Sequence, residues 1–419
     1  MEYHAVPDDH EAAFDGVLRY AFSPERGPDD DTEGPDRPST FHPRALYDTD
    51  DGVSADRAAD AAELDPEAIA VVCAYYAFSA RIRGDHRPVA GVSAVASPPE
   101  YRRRGLVRDL LTDLHAELRE EGVAFAALWP FEFPFYQRLG YARINDYTRL
   151  TVDPDALSGA CPPAAGSFER LTADDWAAVD AVHAAWADGD FGLNRGEDWW
   201  RCRVFQSWGT DPYVYGWRDD DGDLRGYLVF TVDSGDDDGR DDKSMLVNEL
   251  AFCDREARGH LLRFCRNHDS QVGSVRISGP ADARLFDELD DPRAVDTEVR
   301  AGPMARIVDV PAALSAVSYP EDVTGTVQFD VTDETCPWND RVVGLRVRDG
   351  EGTVTEATSD DAEASAVPLD IGTLTRLVVG SHSVDRLADL GHVEGLDAER
   401  RATLAALFPT TDPYLREGF

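Results

Sequence analysis

The stretch that decides the reading runs from Val92 to Tyr141: VSAVASPPEYRRRGLVRDLLTDLHAELREEGVAFAALWPFEFPFYQRLGY. It predicts a strand over residues 92–96, a tight basic turn at Arg102, Arg103, Arg104 and Gly105, and a long amphipathic helix. A second strand over residues 124–129 follows, then an aromatic loop ending in Tyr136. A strand that opens through a glycine-bearing turn into a helix start suits a bound phosphate. Amides at a helix N-terminus lack intrahelical partners, and the helix dipole favours an anion there. Arginines beside the turn can add forked donors to a pyrophosphate. The pattern suits the pyrophosphate of coenzyme A better than that of ATP, because the Gly-x-x-x-x-Gly-Lys-Ser/Thr of a P-loop is absent from the sequence.

Working outward, the chain has 419 residues, enough for two to four domains that each bury a core. Its formal charge is −40, and of 41 basic residues only Lys243 is a lysine. The acidic residues are scattered, a composition suited to molar salt, where screening over a few ångströms removes most self-repulsion. Without a basic stripe to displace counterions, nucleic acid is excluded as a partner. The N-terminus has neither a basic nor an apolar leader region, and the longest apolar run, residues 69–80, reads as a strand and is too short to span a membrane. Six dispersed cysteines without a Cys-x-x-Cys pair predict free thiols in a reducing cytoplasm. The ten histidines show no ligand spacing, so no metal is expected, and no Gly-x-Ser-x-Gly elbow occurs. The acidic run 219–223 could suggest a calcium loop, but Trp217 and Leu228 would stand where carboxylates are required, so it reads as a hairpin tip.

The turn Arg102-x-x-Gly105-x-Val107 resembles the acetyl-CoA loop of GNAT N-acetyltransferases, although the last position is normally small. Arg-Arg-Arg-Gly-Leu followed by Phe-Tyr-x-Arg-x-Gly-Tyr is similar to one branch, the Eis-like (enhanced intracellular survival) acetyltransferases. The likeness extends through GPMARIVDVPAAL at residues 302–314 to Phe419. The resemblance implies two tandem GNAT-like α/β domains, the second degenerate, followed by a sterol-carrier-like α+β domain. The corresponding spans are residues 1–150, 151–300 and 301–419.

Within the first span, a helix is expected over residues 8–20 and a strand over 69–82, with a Pro- and Asp-rich stretch holding a short helix between 23 and 60. In the second, a helix is expected over 173–187 and a hairpin from 213–217 and 224–232. Residues 245–264 repeat the order strand, basic turn, glycine, helix, with Glu256 standing where the first copy has Arg102. That substitution predicts a cradle that has lost its leading arginine and a purely structural second half. In the third span, short alternating segments at 327–331, 342–348 and 352–356 suit an antiparallel sheet, with amphipathic helices over 369–379 and 396–407.

Carried onto this chain, the resemblance gives acetyl-CoA as co-substrate. Val95, Ala96 and Ser97 would face its pantetheine arm, and Arg103, Arg104, Gly105, Leu106, Val107 and Arg108 its pyrophosphate. Phe131 and Glu132 would form a second contact stretch. Tyr136 would be the general acid for the departing thiolate. A free thiol titrates near ~8.5 and tyrosine near ~10, so the transfer is feasible. The α-carboxylate of Phe419 would be the general base. An ordinary α-carboxyl near ~3.5 cannot deprotonate an alkyl ammonium near ~10.4 without burial or an intervening water, the gap being roughly 9 kcal/mol. The acceptor would be an amine-bearing small molecule or a protein lysine, attacked directly in a ternary complex. The branch also implies a homo-oligomer, with a hexamer as one assembly. The rival reading is a non-catalytic binding protein whose third domain carries an apolar ligand.

Overall fold

The structure, a computed structural model, describes residues 1–27, 36–49, 61–207, 209–234, 239–356 and 366–419. Residues 28–35 and 50–60, half of the Pro- and Asp-rich stretch between 23 and 60, therefore lie outside the described residues, and the rest holds a single helical turn at Pro24–Arg26 and a strand at Phe41–Tyr47. The first sheet has the order β1-β2-β3-β4-β5-β14-β6. It contains β1 (Glu2–Ala5), β2 (Phe41–Tyr47), β3 (Ile69–Ile82), β4 (Asp85–Ala96), β5 (Phe125–Leu128), β6 (Ala142–Arg143) and β14 (Met304–Ile307). The second sheet has the order β13-β7-β12-β11-β10-β9-β8. Its strands are β7 (Asp146–Val152), β8 (Ser167–Arg170), β9 (Tyr213–Arg218), β10 (Leu224–Ser234), β11 (Lys243–Phe252), β12 (Ser274–Pro280) and β13 (Val295–Ala301). Each sheet holds one parallel pair among antiparallel neighbours, β4 with β5 and β11 with β12. The internal repeat is therefore structural as well as sequential.

The strand β3 reads as an unbroken apolar run because both of its faces are covered. Val71, Cys73 and Tyr75 pack with Leu110, Leu111, Leu114 and Leu118 of α2 (Leu106–Glu120). Val72 and Ala74 pack with Phe14 of α1 (Glu11–Phe22). The sheets do not part at the expected cuts after residues 150 and 300. The second sheet already begins with β7 at Asp146, and β14 returns to lie between β5 and β6 of the first. Each half thus lends a strand across the boundary.

The third domain has a four-stranded sheet, β17 (Glu351–Glu356), β16 (Arg341–Arg348), β15 (Gly325–Thr332) and β18 (Val367–Asp370). It is mixed rather than wholly antiparallel, because β18 runs parallel to β15. The helix expected from residue 369 starts at Ile371, since residues 367–370 are β18 and the Asp370 carboxylate caps the amide of Thr373 at 2.6 Å. This domain shares a core with the first sheet: Phe329, Leu345, Leu374 and Phe408 pack in one cluster with Ile82, Val89, Phe125 and Ile307. Buried Arg306 of β14 pins the contact through Asp333 at 2.6 Å and the carbonyl of Leu139. Gly140, left-handed at φ 81°, leaves room there, since a Cβ would fall 2.7 Å from Ile371. Among the described residues no helix is long and apolar enough to cross a membrane, and all six cysteines are free.

Candidate active site

The site begins where two strands part. Parallel pairing of β4 with β5 covers Val89↔Phe125, Ala90↔Ala126 and Gly91↔Ala127 only. Strand β4 continues to Ala96 without β5 beside it. A bulge helps it turn away. Ala94 has φ 54°, and the register on β3 shifts between Ala74↔Ser93 and Val72↔Ala96. Val95, Ala96 and Ser97 therefore lie beyond the fork, on a stretch whose peptide groups can pair with an extended amide-bearing chain.

A nine-residue connection, Ser97 to Gly105, leads from β4 to α2. Arg103 has φ 60°, and Gly105 at φ 85° is the N-cap, with no side chain to occupy the first-turn amides. The helix therefore presents the amides of its leading residues, Leu106 and Val107 among them, to an incoming anion. The amide of Arg108 already donates to Gly105 O at 2.8 Å, and its Nη2 donates to Glu334 O of the third domain at 2.5 Å. Arg102 folds back onto Ser97 O at 3.0 Å, and Arg104 lies over the Tyr101 ring. These placements leave exposed Arg103, together with the amides around Gly105, facing outward.

Beyond β5 the expected aromatic loop is a short helix, α3 (Phe133–Gln137), with Glu132 at its N-cap and Pro134 in its first turn. Phe131 is 70% exposed and its ring meets those of Phe135 and Tyr136. Tyr136 is only 3% exposed and packs in one cluster with Cys73, Val92 and Leu128, the lining of the fork. Burial, with a smaller contribution from Cys73, raises its phenol above the ordinary value of 10. The phenol is thus a weaker acid than the free side chain, suited to donating a hydrogen bond more than to releasing its proton. Tyr141 is a core residue, bonded to buried His115 at 2.9 Å.

The last residues of the chain reach the same place. Tyr414 N donates to Asp190 O at 2.8 Å, Leu415 N to Asn145 Oδ1 at 3.1 Å, and Trp129 Nε1 to Glu417 O at 2.6 Å. Arg203 Nη2 donates to Gly418 O at 3.1 Å. The Phe419 ring sits against Tyr76 and Phe78, and it comes within 3.0 Å of the position a Cβ on Gly91 would take. Gly91 is the last residue of β4 paired with β5, so Phe419 lies at the fork itself. Glu417 is buried beside Arg195 at 2.8 Å, and Arg195 also holds Glu249 at 2.5 Å. Burial alone would raise the Glu417 carboxyl, but Arg195 and His183 bring it down to about 2. A carboxylate held so far down is a poor base, and Glu417 serves as an anchor for the tail. Nothing local in the sequence marked Arg195, Glu249 or Gly91, because their partners lie far along the chain.

In the second half β11 reaches α6 (Arg255–Arg266) across only two residues, Cys253 and Asp254. The Asp254 carboxylate accepts from Ala257 N at 2.9 Å and pairs with Arg225 at 2.6 Å. The α6 amides are thus occupied by the protein's own anion. Glu256 lies inside the first helical turn and does not replace Arg102; the loop that would carry such an arginine is missing. Gly259 is a packing glycine, where a Cβ would fall 2.8 Å from Pro162.

Comparison with known proteins agrees with this architecture. GNAT acetyltransferase domain models match residues 2–144 and 192–307, and a sterol carrier protein domain model matches residues 310–416. N-acetyltransferase Eis of Mycobacterium tuberculosis is 29% identical over 342 residues, covering 78% of this chain and 79% of its own length. An uncharacterized N-acetyltransferase of Streptomyces avermitilis is 26% identical, covering 82% and 85%. Among solved structures, a probable N-acyltransferase from Enterococcus faecalis superposes with a TM-score of 0.83 at 21% identity, covering 100% of this chain and 99% of that one. Eis1 from Mycobacterium abscessus superposes with 0.73 at 21% identity, covering 100% of both chains. With two GNAT domains in tandem and a sterol-carrier domain behind them, the chain is an acetyltransferase of the GNAT type, similar over most of its length to the Eis N-acetyltransferases.

Proposed function

We propose that the protein transfers acetyl from acetyl-CoA to an amine by direct attack in a ternary complex, using the first half alone. The observation that carries this reading is the conjunction of the β4–β5 fork and the uncapped α2 N-terminus, with buried Tyr136 in the cluster that packs Val92, Val107 and Leu128 together. The open edge at Val95 to Ser97 pairs with the pantetheine arm, and the amides around Gly105 with Arg103 and Arg104 take the pyrophosphate. Exposed Phe131, with the backbone at Glu132, flanks the arm. Tyr136 donates a hydrogen bond to the sulfur as charge develops on it, a contact worth most in the transition state.

The α-carboxylate of Phe419 acts as the base. The ring anchored at Gly91, and the tail held by Trp129, Arg203 and Arg195, support that role. An ordinary α-carboxylate is far too weak a base for an alkyl ammonium, so in this role it takes the proton through an intervening water or from an amine of lowered pKa. The acceptor is an amine-bearing small molecule or protein lysine, and the working assembly is a homo-oligomer in the cytoplasm of a salt-adapted cell. At −40, lowering KCl from molar to millimolar concentrations is expected to lower Tm; a flat Tm would remove the salt-adapted part of this reading. The test of the reaction is CoA release from acetyl-CoA over a panel of polyamines, amino sugars and lysine peptides. Release with one amine class supports it, whereas acetyl-CoA binding without acceptor-dependent release across all classes contradicts it.

A further inference from the structure

A cavity of about 610 Å³ lies between the first GNAT domain and the sterol-carrier domain, lined in part by residues of α3 and by Tyr141, whose ring meets that of Tyr136. Gln137, Arg138 and Tyr141 line it from one domain, and Thr335, Arg376 and His392 from the other. Its polar groups are incompletely matched. The Nε of Arg376 and the Oγ1 of Thr335 are buried with no hydrogen-bond partner among the described residues, and Thr335 is only 4% exposed. Buried donors without partners are uncommon enough to require a reason.

The carboxylates nearby do not supply that match. Asp333 is committed to Arg306 at 2.6 Å, Asn339 at 3.1 Å and the amides of Thr335 and Cys336. Asp370 uses an oxygen to cap Thr373. Glu334 is exposed at the rim. Burial first, then Arg376, Arg143, Arg386 and His392, hold the neighbouring His382 down at about 4.

We propose that this interdomain cavity binds a phosphate-bearing small molecule, with Arg376 and Arg138 as charge partners and Thr335 as a hydroxyl donor. The volume falls in the range of small-molecule sites, roughly 300–1,000 Å³. A guanidinium fork matches phosphate oxygens in a way that a chloride ion does not exploit. The phosphate has two possible sources, a free metabolite or the phosphoadenosine end of acetyl-CoA, since Arg108 of the α2 turn already reaches Glu334 at the rim. The inference does not depend on which amine is acetylated.

The test titrates the full chain with inorganic phosphate and with adenosine 3′,5′-bisphosphate, at ionic strength matched with chloride, following Tm and heat. Wild type should be stabilised and should bind at least one probe. Arg376→Met should bind about tenfold or more weakly, as expected when one charge-assisted pair is lost, while keeping its kcat. A response that persists under saturating acetyl-CoA assigns the site to a free ligand. A response that acetyl-CoA abolishes, with an equal rise in the acetyl-CoA Kd of Arg376→Met, assigns it to the co-substrate's own phosphate. Should Arg376→Met not fold, exposed Arg138→Gln gives the same comparison. No response of wild type to either probe, or an unchanged response in the variant, overturns the proposal.

Discussion

The two halves of this chain share a strand, a helix and a parallel neighbour, yet differ in how the strand reaches the helix. In the first, nine residues intervene and the helix opens on Gly105, whose left-handed backbone leaves the leading amides uncapped. In the second, two residues intervene and Asp254 places its own carboxylate on those amides. The same helix end is open to an anion in one and is self-satisfied in the other. Closing the helix end in the second half thus needs no change of fold: a short connection and one capping residue suffice, and such a cap contributes about 1 kcal/mol of stability. What the second half retains is a scaffolding task, since Arg195 and Glu249 hold Glu417 and thereby the tail that crosses to the first half.

Removing Phe419, or extending the chain beyond it, should give the largest effect: acetyl transfer stops while acetyl-CoA still binds by calorimetry. Full turnover in a C-terminally extended protein would break the link between tail and chemistry. Tyr136→Phe should lower kcat by roughly 10²-fold or more with little change in the acetyl-CoA KM; a change confined to KM would make Tyr136 a packing residue. Arg195→Met leaves Glu249 and Glu417 buried without their cation and should cost about 3–5 kcal/mol in chemical denaturation at neutral pH. The sign with pH follows from Glu417, depressed from 4.5 to about 2. Its contribution is complete above 4.5 and is lost as pH falls toward 2, so acid should destabilise wild type more steeply than Arg195→Met. Parallel acid profiles would show that the buried pair does not hold the tail.

Much of this was legible from local pattern. The apolar run of β3, the fork-side strand, the basic turn ending in Gly105 and the first three strands of the third domain are set by neighbours in sequence, and periodicity reports them. What escaped depends on distance or on small energies. The exchange of β7 and β14 between sheets pairs Met304 with Leu128 and Tyr147 with Pro280, and no local signal marks such partners. The helix α3 is five residues long and rich in proline and aromatics, so propensity argues against it and packing of Tyr136 decides. Reading Glu256 as the counterpart of Arg102 failed because matching residues one for one hides a shortened loop. The Arg195–Glu417 pair spans 222 positions, and Gly91 owes its identity to the Phe78 and Phe419 rings lying over it.

The central claim is that only the uncapped helix binds the co-substrate, and calorimetric titration of the intact chain with acetyl-CoA tests it most directly. The account predicts one molecule bound per chain, lost on replacing Arg103 and Gly105 together, and unchanged in affinity in Asp254→Ala. Two molecules per chain, or binding that survives the Arg103 and Gly105 changes but fails in Asp254→Ala, would contradict it.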